Sequence, residues 1–234
     1  MTIKYAAQTL GLLSALTFAP DGSASAGEAS VGADNAYLEI VVYEVADPVA
    51  HRQERFKAEG VAKDAMPGMI WWHHLKGEGN SAADIIAWNS PAEAKAAAEF
   101  IQSDPRFTSF LSGMTKVVHF GHYHATAEAE ALRALLAAAP VTELALYQVA
   151  DAPAHEAVHS LVHERIQGRE GLLGGARLQA DGASLGYGDL LTWTNPQAHK
   201  ATGEAMMAQP DLAPFFNGFS EMKVFALFSN EALP

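Results

Sequence analysis

The densest group of aromatic and imidazole side chains is the run Met69–His74, which contains Trp71, Trp72, His73 and His74. This short apolar run follows a Pro-Gly pair, which predicts a β-strand. Because side chains alternate along a strand, one Trp–His pair faces one side of the sheet and the other pair faces the opposite side. An imidazole beside an indole can act as a general base or as an axial haem ligand. We therefore take both histidines as candidate catalytic residues and both tryptophans as candidate ligand-binding residues, with simple core filling as the alternative.

Another pair of imidazoles, His122 and His124, lies two residues apart near the end of a later predicted strand. Side chains at this spacing share one face of a strand, where two imidazoles can bind one metal ion. We take both as candidate metal ligands. Two ligands do not complete a site, so the alternative is a polar strand end that emerges into solvent.

Three further histidines, His155, His159 and His163, recur every fourth residue of a predicted helix. Positions i and i+4 lie on one side of a helix, so adjacent pairs can chelate Zn²⁺ or Cu²⁺. We take His155 and His159 as candidate metal ligands. The alternative is a solvated helix flank.

Composition excludes several classes of function. The 234-residue chain has no cysteine, which removes thiolate nucleophiles and every Cys-ligated metal site. Its formal net charge of −12 at pH 7 makes nucleic acid and anionic membrane surfaces poor partners. The sequence also contains no Walker A motif, no G-x-G-x-x-G after a strand and no G-x-S-x-G elbow.

The first 26 residues combine a basic start, an apolar run and a small-x-small end at Ala24-Ser25-Ala26. This pattern predicts a signal peptide cleaved after Ala26, and hence a periplasmic or secreted protein. A membrane anchor is the alternative, but polar residues interrupt a run already shorter than the roughly 20 residues that a span needs. We expect no membrane span in the mature protein.

The chain contains an internal duplication. Tyr43–His51 matches Tyr147–His155 at an offset of 104 residues, and Asp84–Pro91 matches Asp189–Pro196 at an offset of 105. Such a repeat predicts two copies of one supersecondary unit.

Each copy has the predicted element order βαββαβ, the ferredoxin-like unit with an antiparallel sheet and both helices on one face. Ser90-Pro91 and Asn195-Pro196 predict helix starts, with a capping side chain followed by proline. The repeats span residues 37–125 and 142–229, and a helical linker occupies 126–141. We expect the uncovered sheet faces to carry the aromatic residues and to close on each other as one α+β barrel with pseudo-two-fold symmetry.

The arrangement strand–Trp–x–[Ser/Asn]–Pro–helix–x–Pro–x–Phe, which contains Trp88 and Trp193, resembles the dimeric α+β barrel superfamily, in its antibiotic-biosynthesis-monooxygenase-like branch. The resemblance covers both repeats and implies that one chain builds the barrel that single-repeat relatives build as a homodimer. It also implies that these two tryptophans face a cavity. The relatives carry a histidine about nine residues after this Trp, where the present chain has Ala97 and Thr202. His199 either enters the second cavity from another helical turn or faces solvent, as this residue type usually does.

The two repeats are not equivalent, because the segment aligned with the Trp–His run, 172–177, carries small side chains. We therefore expect the specialised pocket in the first half, lined also by Tyr43 and Trp88, and we include Trp193 as the matching residue of the second half. The resemblance implies an oxidoreductase, monooxygenase-like or haem-handling, that binds a small hydrophobic or aromatic ligand, and the predicted signal peptide implies that it is exported. The alternative is a non-catalytic periplasmic protein that binds copper, zinc or a hydrophobic ligand. The sequence is compatible with haem, copper or zinc as the cofactor, and with either a monomer or a homodimer.

Overall fold

The computed structural model describes residues 35–182 and 185–231, and the predicted signal peptide lies outside these ranges. The strands of the described part are β1 Tyr37–Val45, β2 Met69–Lys76, β3 Ser81–Trp88, β4 Met114–Ala125, β5 Val141–Val149, β6 Leu172–Ala180, β7 Gly186–Trp193 and β8 Phe219–Asn230. Its α-helices are α1 Pro48–Ala65, α2 Pro91–Ser103, α3 Thr108–Ser112, α4 Ala129–Ala138, α5 Ala152–Ile166, α6 Pro196–Met207 and α7 Ala213–Asn217. Within these ranges, no helix has the length and apolar character that a membrane span requires.

The eight strands form a closed antiparallel barrel in the order β1-β3-β2-β8-β5-β7-β6-β4, with β4 pairing back to β1. The two halves meet at two seams. At one, Leu75 of β2 pairs with Asn230 of β8, and at the other His124 of β4 pairs with Gln179 of β6. The predicted α+β barrel of two βαββαβ repeats is confirmed.

The two halves have the same strand register. Tyr37 pairs with Trp88 in the first half, as Val141 pairs with Trp193 in the second. The ladder that joins β1 to β4 shifts register at Tyr43, and the ladder that joins β5 to β8 shifts at Tyr147. The duplication is therefore preserved in the backbone, and the halves differ in their side chains.

Helix starts follow the predicted capping pattern. The side chain of Ser90 accepts a hydrogen bond from the backbone N–H of Glu93, and Asn195 caps α6 through the N–H of Ala198. Asp47 and Asp151 cap α1 and α5 in the same way. Each cap contributes about 1 kcal/mol to helix stability and fixes where the chain leaves the sheet.

The barrel interior is packed with aliphatic side chains from both halves. Its fully buried members include Leu38, Ile40, Ile85, Leu144, Leu146 and Leu190. The linker helix α4 lies across the end of the barrel at which β2 and β6 begin, and its Leu132 and Leu136 belong to the same core. The indole Nε1 of Trp71 donates to the carbonyl of Ala129 in α4 at 3.0 Å.

The aromatic residues lie on the opposite side of the sheet from the one expected. Trp72 and Trp88 pack under the first-half helices, and Tyr147 and Trp193 pack under the second-half helices. Trp71 faces the barrel interior, together with Tyr123 and Phe228. The central strands are buried on both faces, so their sequences show no alternation of apolar and polar residues. The sheets close on each other as expected, but the faces that meet are mainly aliphatic, so the prediction that these faces carry the aromatic residues is wrong for most of them.

The packing of the barrel interior can be tested with Leu190→Ala. Leu190 is fully buried in the interior, so we expect the truncation to lower the free energy of unfolding by about 2–5 kcal/mol. Leu173→Ala is the matched control, because Leu173 is 41% exposed and its truncation should cost less than about 0.5 kcal/mol. Urea denaturation of both variants measures the difference, and equal losses would contradict the interior packing described above.

Candidate functional site

A cavity of about 420 Å³ lies in the second half, between the outer face of the sheet and helices α5, α6 and α7. We call it the second-half cavity. The corresponding space in the first half measures about 60 Å³. A volume of several hundred cubic ångströms accommodates a small organic ligand. The prediction of a specialised pocket in the first half therefore differs from the structure.

One pair of equivalent positions shows how the side-chain volumes of the two halves differ. Trp72 pairs with Ile86 in the first half, and Gly175 pairs with Leu191 at the same place in the second. The Trp72 indole is buried against Phe110, with the ring centroids 5.6 Å apart, and it lines the small first-half space. Gly175 has no side chain to occupy the equivalent volume. Trp72 thus takes up part of the first-half space, whereas in the second half Leu191 lies over Gly175 and itself lines the cavity.

The walls of the second-half cavity are mostly apolar. They comprise Val162, Ile166, Leu191, Trp193, Met206, Phe215, Phe216 and Phe219. Three further lining residues, Met207, Met222 and Phe225, are 62%, 44% and 62% exposed, so they form an apolar rim at the mouth. Such walls favour a flat apolar ligand, because burial of aromatic surface on both sides stabilises it.

In the first half, the buried polar groups form an ion cluster around Asp84. A guanidinium nitrogen of Arg55 lies 2.6 Å from Asp84 Oδ1, and Arg55 also contacts Glu231. The hydroxyl of Tyr43 donates to Asp84 Oδ2 at 2.7 Å. Burial raises the pKa of Asp84, but Arg55 and His74 outweigh this effect and hold the pKa below its ordinary value.

His74, a candidate catalytic residue, belongs to this cluster. Its Nδ1 lies 2.8 Å from Asp84 and its Nε2 lies 3.1 Å from Glu59. Burial lowers the pKa of His74, but the two carboxylates outweigh it and raise the pKa above its ordinary value. The neighbouring His73 faces the other side of the sheet, with its Nε2 2.9 Å from Asn230 Oδ1. Neither imidazole lines the second-half cavity.

The second half has a different polar cluster at the equivalent place, around Asp189. The Nε2 atoms of His159 and His163 lie 2.8 and 2.7 Å from Asp189 Oδ1, and the hydroxyl of Tyr147 donates to Oδ2 at 3.1 Å. Burial raises the pKa of Asp189, but the hydrogen bonds from the two imidazoles outweigh it and bring the pKa below its ordinary value. Tyr147, His163 and Asp189 line the cavity. We call His159, His163 and Asp189 the Asp189 cluster.

A second imidazole–carboxylate pair reaches the same cavity. His199 Nε2 lies 3.4 Å from Glu143 Oε2, and the same oxygen accepts a hydrogen bond of 3.0 Å from the Trp193 indole. The His199 ring packs edge-on against Trp193, with the centroids 5.6 Å apart. Of the two orientations considered for His199, the structure has the one that enters the cavity.

The expectation of a solvated histidine flank on α5 is also wrong, because His155 and His159 are 3% and 1% exposed. His155 Nε2 lies 3.4 Å from the Tyr147 hydroxyl, and burial together with His159 lowers the pKa of His155 to about 4. Sequence reasoning missed that residues 155–159 read H-E-x-x-H, a zinc-binding helical spacing. The side chain of Glu156 is 46% exposed and does not line the second-half cavity, so it does not have the position of a metalloprotease general base.

The other candidate metal pair flanks an aromatic ring. The centroid of Tyr37 lies 5.6 Å from His122 and 5.1 Å from His124. His122 Nε2 is 3.2 Å from Glu39, and His124 Nε2 is 3.6 Å from Asp181. Across residues 35–182 and 185–231, the ligand atoms that converge within 4.8 Å are those of the Asp189 cluster.

Comparison with known proteins gives no match to a family model and no match to a curated protein. Solved structures do match. An anthrone oxidase-like protein superposes with a TM-score of 0.64 at 11% identity, covering 85% of this chain and 92% of its own. A chlorite dismutase from Candidatus Nitrospira defluvii gives 0.57 at 7% identity, covering 87% and 94%. A proposed monooxygenase from Fusobacterium nucleatum gives 0.53 at 7% identity, covering 85% and 95%.

These similarities concern the fold, since the identities are far below the level at which function transfers. Oxidoreductases recur among the matching proteins. Both the strand order and the matching solved structures agree with the resemblance found in the sequence. The chain has the fold of the dimeric α+β barrel superfamily, with both halves of the barrel in one polypeptide.

Proposed function

We propose that the protein is an exported small-molecule oxidoreductase that oxidises a flat, weakly acidic aromatic compound of the anthrone type in the second-half cavity. The observation that carries this proposal is the apolar cavity of about 420 Å³ with two imidazole–carboxylate pairs in its wall. The similarity to an anthrone oxidase-like protein supports the substrate class. The sequence of residues 1–26 supports export.

The proposed reaction uses O₂ as the oxidant. Glu143 orients His199 through Nε2, which leaves Nδ1 to take a proton from the substrate CH₂ group. The resulting carbanion is delocalised over the aromatic rings and passes its electrons to O₂. The CH₂ group loses both hydrogens and becomes a ketone with one oxygen atom of O₂, while the other oxygen atom leaves as water. The aromatic walls hold the rings flat and exclude bulk water.

Haem, which the resemblance implies, does not fit the described donor set of this cavity. The two histidines that line it, His163 and His199, both direct Nε2 at a carboxylate. The position nine residues after Trp193, where the relatives carry a histidine, is Thr202. The proposed reaction therefore does not use haem.

The cavity as the binding site can be tested with Gly203→Leu. Gly203 of α6 lines the cavity, and a side chain there meets no atom within 4 Å, so leucine projects into open space. We expect at least about tenfold weaker binding of anthraquinone, the oxidised product of anthrone, in calorimetric titration, equivalent to about 1.4 kcal/mol. Gly60→Leu in α1 is the matched control, because its surroundings are equally open and it lies in the first half. Unchanged binding in Gly203→Leu would place the ligand elsewhere.

The role of His199 can be tested with His199→Gln. We expect aerobic conversion of anthrone to anthraquinone to fall by about 10²–10⁴-fold, because glutamine retains hydrogen bonding but cannot accept the proton. Anthraquinone binding should change less than threefold. The alternative catalytic residue predicted from the sequence is tested in parallel with His73→Gln. If the His73→Gln variant loses turnover while the His199→Gln variant remains active, the reaction takes place in the first half. Anthraquinone binding without turnover in the unaltered protein would instead favour a hydrophobic-ligand binding protein.

A further inference from the structure

The two halves neutralise equivalent buried carboxylates in different ways. Asp84 lies beside Arg55, whose guanidinium is permanently charged. At the position equivalent to Arg55, 104 residues along the chain, the second half has His159. Imidazole is a cation only when protonated, and its neutral form is the commonest metal ligand in proteins. The second half has thus exchanged a fixed charge for a ligand-competent nitrogen.

A second difference between the halves removes a cation from the surroundings of Asp189. Arg177 occupies the position equivalent to His74, which contacts Asp84 in the first half. Its guanidinium instead donates to Ser160 at 2.8 Å and lies 3.8 Å from Glu156. Asp189 is left with His159, His163 and Tyr147 as the partners described above.

The geometry of these groups is convergent. His159 and His163 lie one turn apart on α5, and their Nε2 atoms approach the same oxygen of Asp189 at 2.8 and 2.7 Å. The three donor atoms lie within 4.8 Å of one another. The hydrogen bond from Tyr147 to the other oxygen fixes the orientation of the carboxylate, as second-shell groups do at metal sites.

We propose that His159 Nε2, His163 Nε2 and a carboxylate oxygen of Asp189 bind one divalent transition-metal ion, with its remaining coordination positions open to the second-half cavity. Two imidazoles and one carboxylate suit Zn²⁺, Fe²⁺ and Co²⁺. Three protein ligands with an open position are typical of catalytic rather than structural metal sites. His163 and Asp189 line the cavity, whereas His159 is buried behind them.

This set of ligands differs from both sets expected from the sequence. His155 is not included, because its Nε2 faces the Tyr147 hydroxyl and does not belong to the set of ligand atoms that converge within 4.8 Å. His122 and His124 contact separate carboxylates, Glu39 and Asp181. The proposal does not rest on the proposed oxidation, since the ion would bind whether or not the cavity converts a substrate.

The test is a titration with Co²⁺ of the untagged protein, purified and stripped of metal with a chelator. We expect one equivalent to bind with the visible d–d absorption of a four- or five-coordinate site, confirmed by elemental analysis. His163→Gln and Asp189→Asn should each weaken Co²⁺ binding at least a hundredfold. His163→Gln is the more informative variant, because the side chain of His163 is 15% exposed and that of Asp189 is 9% exposed, so the change at His163 disturbs the core less. Circular dichroism checks that both variants fold.

Two controls make the assignment specific. His155→Gln and His124→Gln should leave the cobalt spectrum unchanged. Full Co²⁺ binding by folded His163→Gln would overturn the proposal, and loss of binding in His155→Gln or His124→Gln with retention in His163→Gln would move the metal to another set of ligands. Anthraquinone binding by metal-free protein is measured in the same series, so that failure of the metal site is distinguished from failure of the cavity as a binding site.

Discussion

The structure depends on the closure of the β-sheet. A four-stranded ferredoxin-like sheet has two free edges, which can pair with other chains, and one face without helices, whose apolar side chains would contact water. The seams between β2 and β8 and between β4 and β6 pair both edges of each half at once. Closure also buries the uncovered faces against each other, so the aliphatic interior and the backbone ladder form together. The helices then remain outside, where each half has its own space between helix and sheet.

In this space the two halves have diverged on one backbone scaffold. In the first half, a tryptophan takes up part of this space and an arginine neutralises the buried aspartate. In the second half, the position of the tryptophan is a glycine and the position of the arginine is a histidine, which is a titratable group. The exchange of arginine for histidine thus places a different polar cluster beside the second-half cavity. The remaining differences, such as the apolar rim of α6 and β8, give access to that cavity.

The sequence predicts the fold well because the repeat, the caps and the turn residues act locally. The Ser-Pro and Asn-Pro pairs mark helix starts that the structure reproduces. The site is harder to predict, because a strand that is buried on both faces gives no sign of which side faces the helices. The run Trp71–His74 is rich in side chains that could bind a ligand, but the Trp72 indole takes up space that a ligand would need. His163 could have been assigned from its spacing along α5, but its partner Asp189 is adjacent only in three dimensions.

The linker helix α4 has a consequence for how the molecule changes over evolutionary time. In a barrel assembled from two identical chains, every substitution appears twice, so a mutation that enlarges one pocket also removes packing from the other. The α4 connection makes the two halves separate stretches of one gene product that always meet in the same pairing. Each half can therefore mutate alone. One half can retain a dense, stabilising core while the other accepts the loss of packing that a binding site requires.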